Sequence, residues 1–367
     1  MRLGLLELRR RPGRFGVACA VLSLLVVLLL LLGGLLDGLF LGSTGALRAQ
    51  RADAVVFSAS ARESLLRSRL TPEDRAVVEA VDGVDAVGGL GVALVAARVP
   101  GRSALADAAV IGYELAPRGT PAPPPPGQAY ADTRLRADGA SLGDTLLVGL
   151  AETPITIVGW VEDTSYLLQG ALWVAPDTWR EVQNRSRPDA ALGEGEFQAL
   201  VVRGGPDPAA LAAAVDAAAG GATTTLTKNE AVFSLPGTRQ QNSTFLQIIY
   251  TTVAVAALVV ALFFALITLE RSALYGVLKA LGASSAQLFA GVLSQAIVVA
   301  GVALVVGGAV TWLVAELVPV GAVPLQLEAS RALFSAVWVL AAAALGSAVS
   351  LRRVVRVDPA SAIGTGP

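Results

Sequence analysis

Leu269-Glu270-Arg271-Ser272-Ala273-Leu274-Tyr275-Gly276-Val277-Leu278-Lys279-Ala280-Leu281-Gly282-Ala283-Ser284-Ser285 decides how the chain is read, because it is the only charged break between two long apolar runs. Leu274, Val277, Leu278 and Leu281 recur at spacings of three and four residues, which places them on one face of a short helix. Glu270, Arg271 and Lys279 fall away from that face. Gly282 suits a left-handed C-cap, and Ser284 or Ser285 suits the N-cap of the helix that follows. The stretch therefore reads as a short amphipathic helix ending in a sharp corner. It is either a lever held between two membrane spans or an ordinary interfacial loop helix without a partner.

The apolar runs on either side belong to a chain in which 54% of residues are hydrophobic and 16% charged, with mean hydropathy +0.63. That mix lies outside the range of soluble domains and marks a membrane protein. Four segments are long enough for a hydrocarbon core of roughly 30 Å, which takes about 20 apolar residues. They are Phe15 to Leu36, Leu246 to Leu269, Leu288 to Ala315 and Ala332 to Leu351, none with an internal charge.

Orientation follows from the positive charges. Arg2, Arg9, Arg10, Arg11 and Arg14 precede the first span, Arg271 and Lys279 sit in the corner, and Arg352, Arg353 and Arg356 follow the last span. Only Glu7, Glu270 and Asp358 oppose them, whereas Leu41 to Thr244 holds 17 basic and 23 acidic residues, a balance of −6. Both termini and the corner are expected in the cytoplasm of a multi-pass plasma-membrane protein, with the middle domain outside. The first span resembles a signal peptide in its basic flank. Its 22 uncharged residues are too long for a usual signal core, so it is expected to be a retained anchor.

The boundaries read from these patterns are a cytoplasmic elbow at 1–14 and spans at 15–40, 245–269, 286–315 and 332–351. An extracytoplasmic α+β domain fills 41–244, the coupling corner 270–285, an outer loop 316–331 and a cytoplasmic tail 352–367. The fold class is thus an α-helical membrane protein with four transmembrane helices and an α+β domain between the first and second. In that domain Ala54 to Phe57, Val92 to Val99, Ala108 to Tyr113, Thr145 to Val148, Ile155 to Trp160, Ala171 to Val174 and Gln198 to Val202 read as strands. Thr71-Pro72-Glu73-Asp74, Ala175-Pro176-Asp177 and Asp207 open helices. Thr227 and Glu230 form a capping box that starts another, broken near Pro236-Gly237 before the second span.

Several chemistries are excluded by what is missing. Histidine is absent, which removes the usual general base and the commonest metal ligand. Cys19, inside the first span, is the single cysteine, so the outer domain folds without an internal disulfide. No Gly-Lys-Ser or Gly-Lys-Thr occurs, so the chain has no P-loop and energy from ATP must arrive through a partner. No feature points to nucleic acid, and none to a metal or catalytic site.

Around the outer end of the first span, Gly33 to Gly38 allows another helix to approach closely, as between two copies of the chain. Asp37 reads as a solvated end residue, with a ligand contact as its alternative. Should two copies pair there, Leu36, Phe40, Phe245 and Ile249 would line an apolar groove for a substrate, open to the outer leaflet.

The order of one span, a domain of about 200 residues and three further spans resembles the permease subunits of the MacB/FtsX superfamily of ABC transporters, especially the compact DevC/HrtB group. The resemblance rests on Gly276-Val277-Leu278-Lys279-Ala280-Leu281-Gly282-Ala283, on Arg356-Val357-Asp358-Pro359-Ala360-Ser361-Ala362-Ile363-Gly364, on Gly143-Asp144-Thr145-Leu146 and on Val158 to Tyr166. It implies two permease copies in a bilayer, each binding a cytoplasmic ABC ATPase that carries ATP and Mg, with no cofactor in this chain. The ATPase contacts it implies are Glu270, Arg271, Leu274, Tyr275, Gly276, Val277, Leu278, Lys279, Leu281, Gly282, Arg353 and Arg356. The function it implies is not enzymatic: export or extraction of a hydrophobic or amphiphilic compound by mechanotransmission. The alternatives are an FtsX-like transmitter controlling a cell-wall enzyme, a heme efflux permease, and a membrane-anchored structural protein. The lack of His, and of any Met beyond Met1, weakens the heme reading.

Overall fold

The computed structural model describes residues 12–270, 277–279, 281–318 and 323–355. In chain order these form α1 (Pro12–Arg48), β1 (Ala54–Ser58), α2 (Pro72–Glu79), β2 (Val84–Arg98), β3 (Leu105–Tyr113), β4 (Gln128–Asp132), β5 (Thr145–Val148), β6 (Thr153–Val161), β7 (Gly170–Val174), α3 (Pro176–Ser186), β8 (Ala199–Gly204), α4 (Pro208–Ala218), β9 (Thr223–Thr227), α5 (Lys228–Ser234), α6 (Thr238–Glu270), α7 (Ser285–Leu317) and α8 (Ala329–Val355). They fall into two compact units. One is helical and holds residues up to Gly38, Ser243–Pro319 and residues from Leu325 onward; the other is mixed and runs chiefly from Leu39 to Asn242.

The helical unit contains four helices long and apolar enough to cross a membrane among the described residues. Their buried faces share one apolar cluster. Ala18, Leu22, Val26 and Leu29 on α1 repeat at helical spacing, as do Val260, Phe264 and Ile267 on α6 and Val292, Ala296, Val299 and Ala303 on α7; Val339 and Ala343 come from α8. The opposite faces keep large apolar side chains exposed, including Leu24, Leu262, Val305 and Leu345, the pattern expected of helices solvated by lipid. Two glycines set close approaches. A Cβ on Gly307 would lie 2.7 Å from Val26 Cγ1, and one on Gly346 would lie 2.6 Å from the Ala257 carbonyl oxygen. Small residues at such crossings let backbones approach where lipid offers no hydrophobic drive.

The mixed unit is built on a nine-stranded sheet of order β3-β7-β4-β6-β5-β2-β8-β1-β9, closed into a ring because β3 also pairs with β2. The 15-residue β2 is the shared member. Its second half pairs with β3 and β5, and its first half with β8, from which β1 and β9 extend. Side chains alternate across β3 and β7: Val110 and Leu172 enter one core, Ile111 and Trp173 the other. Trp179 of α3 fills the ring-side core against Gly91 and Gly112, where a Cβ would overlap its indole, and stacks on Phe197 at 5.8 Å. A third core packs Val78 of α2 and Leu211 and Val215 of α4 on β1 and β8.

The strands expected from sequence are all present, and β4 and β9 are additional. Gln128-Ala129-Tyr130-Ala131-Asp132 carries no β-branched residue, and its strand depends on pairing to β6 and β7. The long helices outrun the spans read from hydropathy. α1 continues to Arg48 because Ala46 and Leu47 are buried among the domain's side chains, and α6 starts at Thr238, directly after Gly237 at φ +80°.

Candidate functional site

The corner after α6 is partly described. Glu270 ends α6, Val277 to Lys279 are helical, and Leu281 and Gly282 form a turn. Arg271, Leu274, Tyr275 and Gly276 lie outside the described residues. The helix is closed by a Schellman pair of bonds: the Ala283 N–H reaches the Leu278 carbonyl at 2.9 Å and the Gly282 N–H reaches that of Lys279 at 3.0 Å. Gly282 holds φ +96°, the left-handed value at which glycine is free of Cβ strain. Two residues later Ser284 caps α7, its hydroxyl accepting from the Gln287 N–H at 3.2 Å while the Gln287 side chain accepts from the Ser284 N–H at 3.0 Å. One helix thus stops and the next begins within three residues, as Gly282 and Ser284 indicate in the sequence.

The corner's apolar side chains divide between two environments. Leu278 and Ala283 pack against the helical unit's core. Val277 stays 47% exposed and Leu281 79% exposed. The sequence places all four leucine and valine positions on one face; the structure turns Leu278 toward its own bundle and leaves Val277 and Leu281 outward. Of the two basic residues assigned to the tail, Arg353 falls within α8 and Arg356 lies outside the described residues.

At the other end of the bundle, Asp37 departs from its sequence reading as a solvated end residue. Its side chain is 10% exposed, and the Arg331 Nε–H is shared between both of its carboxylate oxygens, each 2.6 Å away. The physical reason is non-local: the two lie 294 residues apart, and Arg331 stands at the start of α8. Gly33 and Gly34 make room for this closure, since a Cβ on Gly33 would meet Arg331 and one on Gly34 would meet Leu325 and Leu327. The Gln326 N–H also reaches the Gly34 carbonyl at 3.0 Å. The small-residue stretch is therefore filled here by the chain's own return loop.

Leu36 and Ile249 share the bundle core, 2% and 8% exposed, with Phe245 packed against it. Phe40 belongs to the mixed unit, where its ring lies 5.6 Å from that of Phe233. The aliphatic members of the expected groove are thus covered within one chain. Among tyrosines, Tyr113 and Tyr166 are buried, and burial pushes both phenols above their ordinary range.

Comparison with known proteins finds similarity over most of the helical unit. The FtsX-like permease C-terminal family matches residues 247–359, which include most of α6, the corner, α7 and α8. A permease of Mycobacterium tuberculosis named as uncharacterized ABC transporter permease Rv2563 is 43% identical over 110 residues, and the putative hemin transport system permease protein HrtB of Staphylococcus epidermidis is 23% identical over 112 residues. The match covers 30% of this chain in both cases, and the chain spans about a third of these relatives' length, 31% and 32%. Among solved structures, the periplasmic region of MacB from Actinobacillus actinomycetemcomitans aligns with 50% of this chain and 91% of its own, at 14% identity and a TM-score of 0.35. The extracellular domain of the transporter YknZ from Gram-positive bacteria aligns with 48% of this chain and 100% of its own, at 13% identity and a TM-score of 0.33. Over residues 247–359 the chain is thus similar to the FtsX-like permease C-terminal family, and over 110 residues to an ABC transporter permease.

Proposed function

We propose that this permease works with a separate cytoplasmic ATPase that docks on the corner at 270–285, and that ATP-driven closure of that partner drives export or extraction of a hydrophobic or amphiphilic compound by mechanotransmission. The observation that carries the reading is the pair of outward apolar side chains, Val277 and Leu281, on a sharply capped turn at the charged break between two apolar helices. Exposed apolar groups at a polar surface mark a contact site, and a groove on a soluble partner is the natural cover. ATP and Mg belong to the partner in this reading, and a second copy of the permease completes the assembly. The termini and the corner lie in the cytoplasm, and the mixed unit lies outside.

Recovery of the ATPase on the tagged permease tests this. Leu281→Asp and Val277→Asp each alter a side chain that the bundle does not bury, so folding should survive. Binding should weaken by about 2 kcal/mol or more, the loss expected of an interface hot spot. Leu142→Asp, an equally conspicuous exposed leucine of the mixed unit, should leave recovery unchanged. Undiminished recovery with both corner variants would place the docking site elsewhere, with Arg352 to Asp358 the next region to examine.

A further inference from the structure

We infer that the loop from Asp163 to Gln169 is a clamp that grips the last turns of α1, and that in the permease proposed above, on which this second role rests, it is the joint through which α1 moves the mixed unit. The Leu167 N–H donates to the Ser43 carbonyl at 3.0 Å, the Leu168 N–H to the Gly42 carbonyl at 2.9 Å, and the Ala46 N–H to the Ser165 carbonyl at 3.0 Å. These are bonds from outside the helix to the backbone of its interior. Helices seldom accept such contacts because side chains cover the backbone, and here Gly42 and Gly45 expose it. A Cβ on Gly45 would lie 2.8 Å from both the Asp163 carbonyl oxygen and the Ser165 nitrogen.

The loop's backbone is strained in the way this grip requires. Tyr166 and Gln169 exchange both of their backbone bonds, each 3.0 Å, so Leu167 and Leu168 form a two-residue turn with φ +49° and +68°. Such turns ordinarily take Asn and Gly, because the left-handed region crowds a Cβ. Here the strained turn aims two successive N–H groups at two successive carbonyls of α1. Its supports are buried. Asp132, 2% exposed, accepts from the Thr164 N–H at 2.8 Å, the Thr164 hydroxyl at 2.7 Å, the Ser165 hydroxyl at 3.3 Å and the Arg134 N–H at 2.9 Å. Arg48 adds a two-pronged ion pair to Asp163. Strain held in place by surrounding structure points to a functional constraint, and the constraint here is a fixed junction between one helix and the sheet.

Amide hydrogen exchange on the full chain tests the clamp, and an ATP-response measurement tests the joint. The amides of Ala46, Leu167 and Leu168 should exchange slowly and together. In Gly45→Val, and in the near-isosteric Asp132→Asn, all three should speed up by about 30-fold or more while the β1 and β8 amides stay slow, as expected of one local opening unit. Slow exchange persisting in both variants would overturn the clamp. In the complex with its ATPase, both variants should hydrolyse ATP within about twofold of the unsubstituted complex, since neither change touches the corner; a dye attached through Ser60→Cys should lose its ATP-dependent signal change. A preserved signal change would overturn the joint. No ATP response in the unsubstituted complex would bring down the permease reading and the joint together, with the exchange result still deciding the clamp.

Discussion

Asp37 and Arg331 show how one pair of side chains closes the end of the helical unit. The carboxylate is nearly covered and the guanidinium 30% exposed, so each depends on the other for its missing hydration. Removing one partner leaves a poorly solvated charge, whereas replacing both with apolar residues removes the problem. Asp37→Ala should lower stability by about 2–3 kcal/mol, at or just under the lower edge of the range for broken buried pairs because Arg331 keeps some solvent. Asp37→Leu combined with Arg331→Leu should recover most of that loss. Thermal unfolding in detergent micelles provides the measurement, and strictly additive single effects would show that the two residues act independently.

At the scale of elements, the caps define where helices begin. Thr227 accepts from the Glu230 N–H through its hydroxyl, and the Glu230 carboxylate accepts from the Thr227 hydroxyl and N–H at 2.8 and 3.0 Å. The Thr227 hydroxyl, and then its backbone N–H, hold the Glu230 carboxyl below its ordinary value. A carboxyl lowered on folding contributes stability above its unfolded pKa, and that contribution fades as pH falls through the glutamate range toward the folded value. Exchange protection of α5 should therefore drop on acidification through that range; Glu230→Gln should remove the pH dependence, and Thr227→Ala should reduce it along with about 1 kcal/mol of helix stability. Protection that ignores both pH and substitution would mean that packing of Ala231 and Val232 alone holds α5.

The same elements show what a sequence discloses and what it withholds. Thr71, Thr227, Gly282 and Ser284 act through neighbours three or four residues away, and each is legible in the sequence because the chemistry is local. The four long helices are legible because lipid demands an uninterrupted apolar length. The extension of α1 to Arg48 is not, since Gly42, Ser43, Thr44 and Gly45 look like a helix end and are kept helical by a loop more than a hundred residues away. The closure of β3 on β2, the strand at Gln128–Asp132 and the pairing of Asp37 with Arg331 are equally non-local. At the corner the period of three and four shows a helix, but it cannot distinguish Leu278, which faces the bundle, from Leu281, which does not.

For the whole molecule, two long helices, α1 and α6, each carry residues of both the helical and the mixed unit, and residues 247–359 are similar to the FtsX-like permease C-terminal family. Under the proposed division of labour, in which a separate partner hydrolyses ATP, the purified chain should show no ATPase activity until that partner is added. Turnover in a preparation free of that partner would contradict this. The central claim is that the partner engages one side of the membrane while the mixed unit works on the other. Its most direct test is side-specific labelling of Ser60→Cys and Ala286→Cys, each in a Cys19→Ala background. Both positions are exposed, and Ala286, unlike Ser284, takes no part in the α7 cap. An impermeant maleimide added to intact cells should label the first and reach the second only after permeabilisation; labelling of both, or of Ala286→Cys alone, would contradict the account.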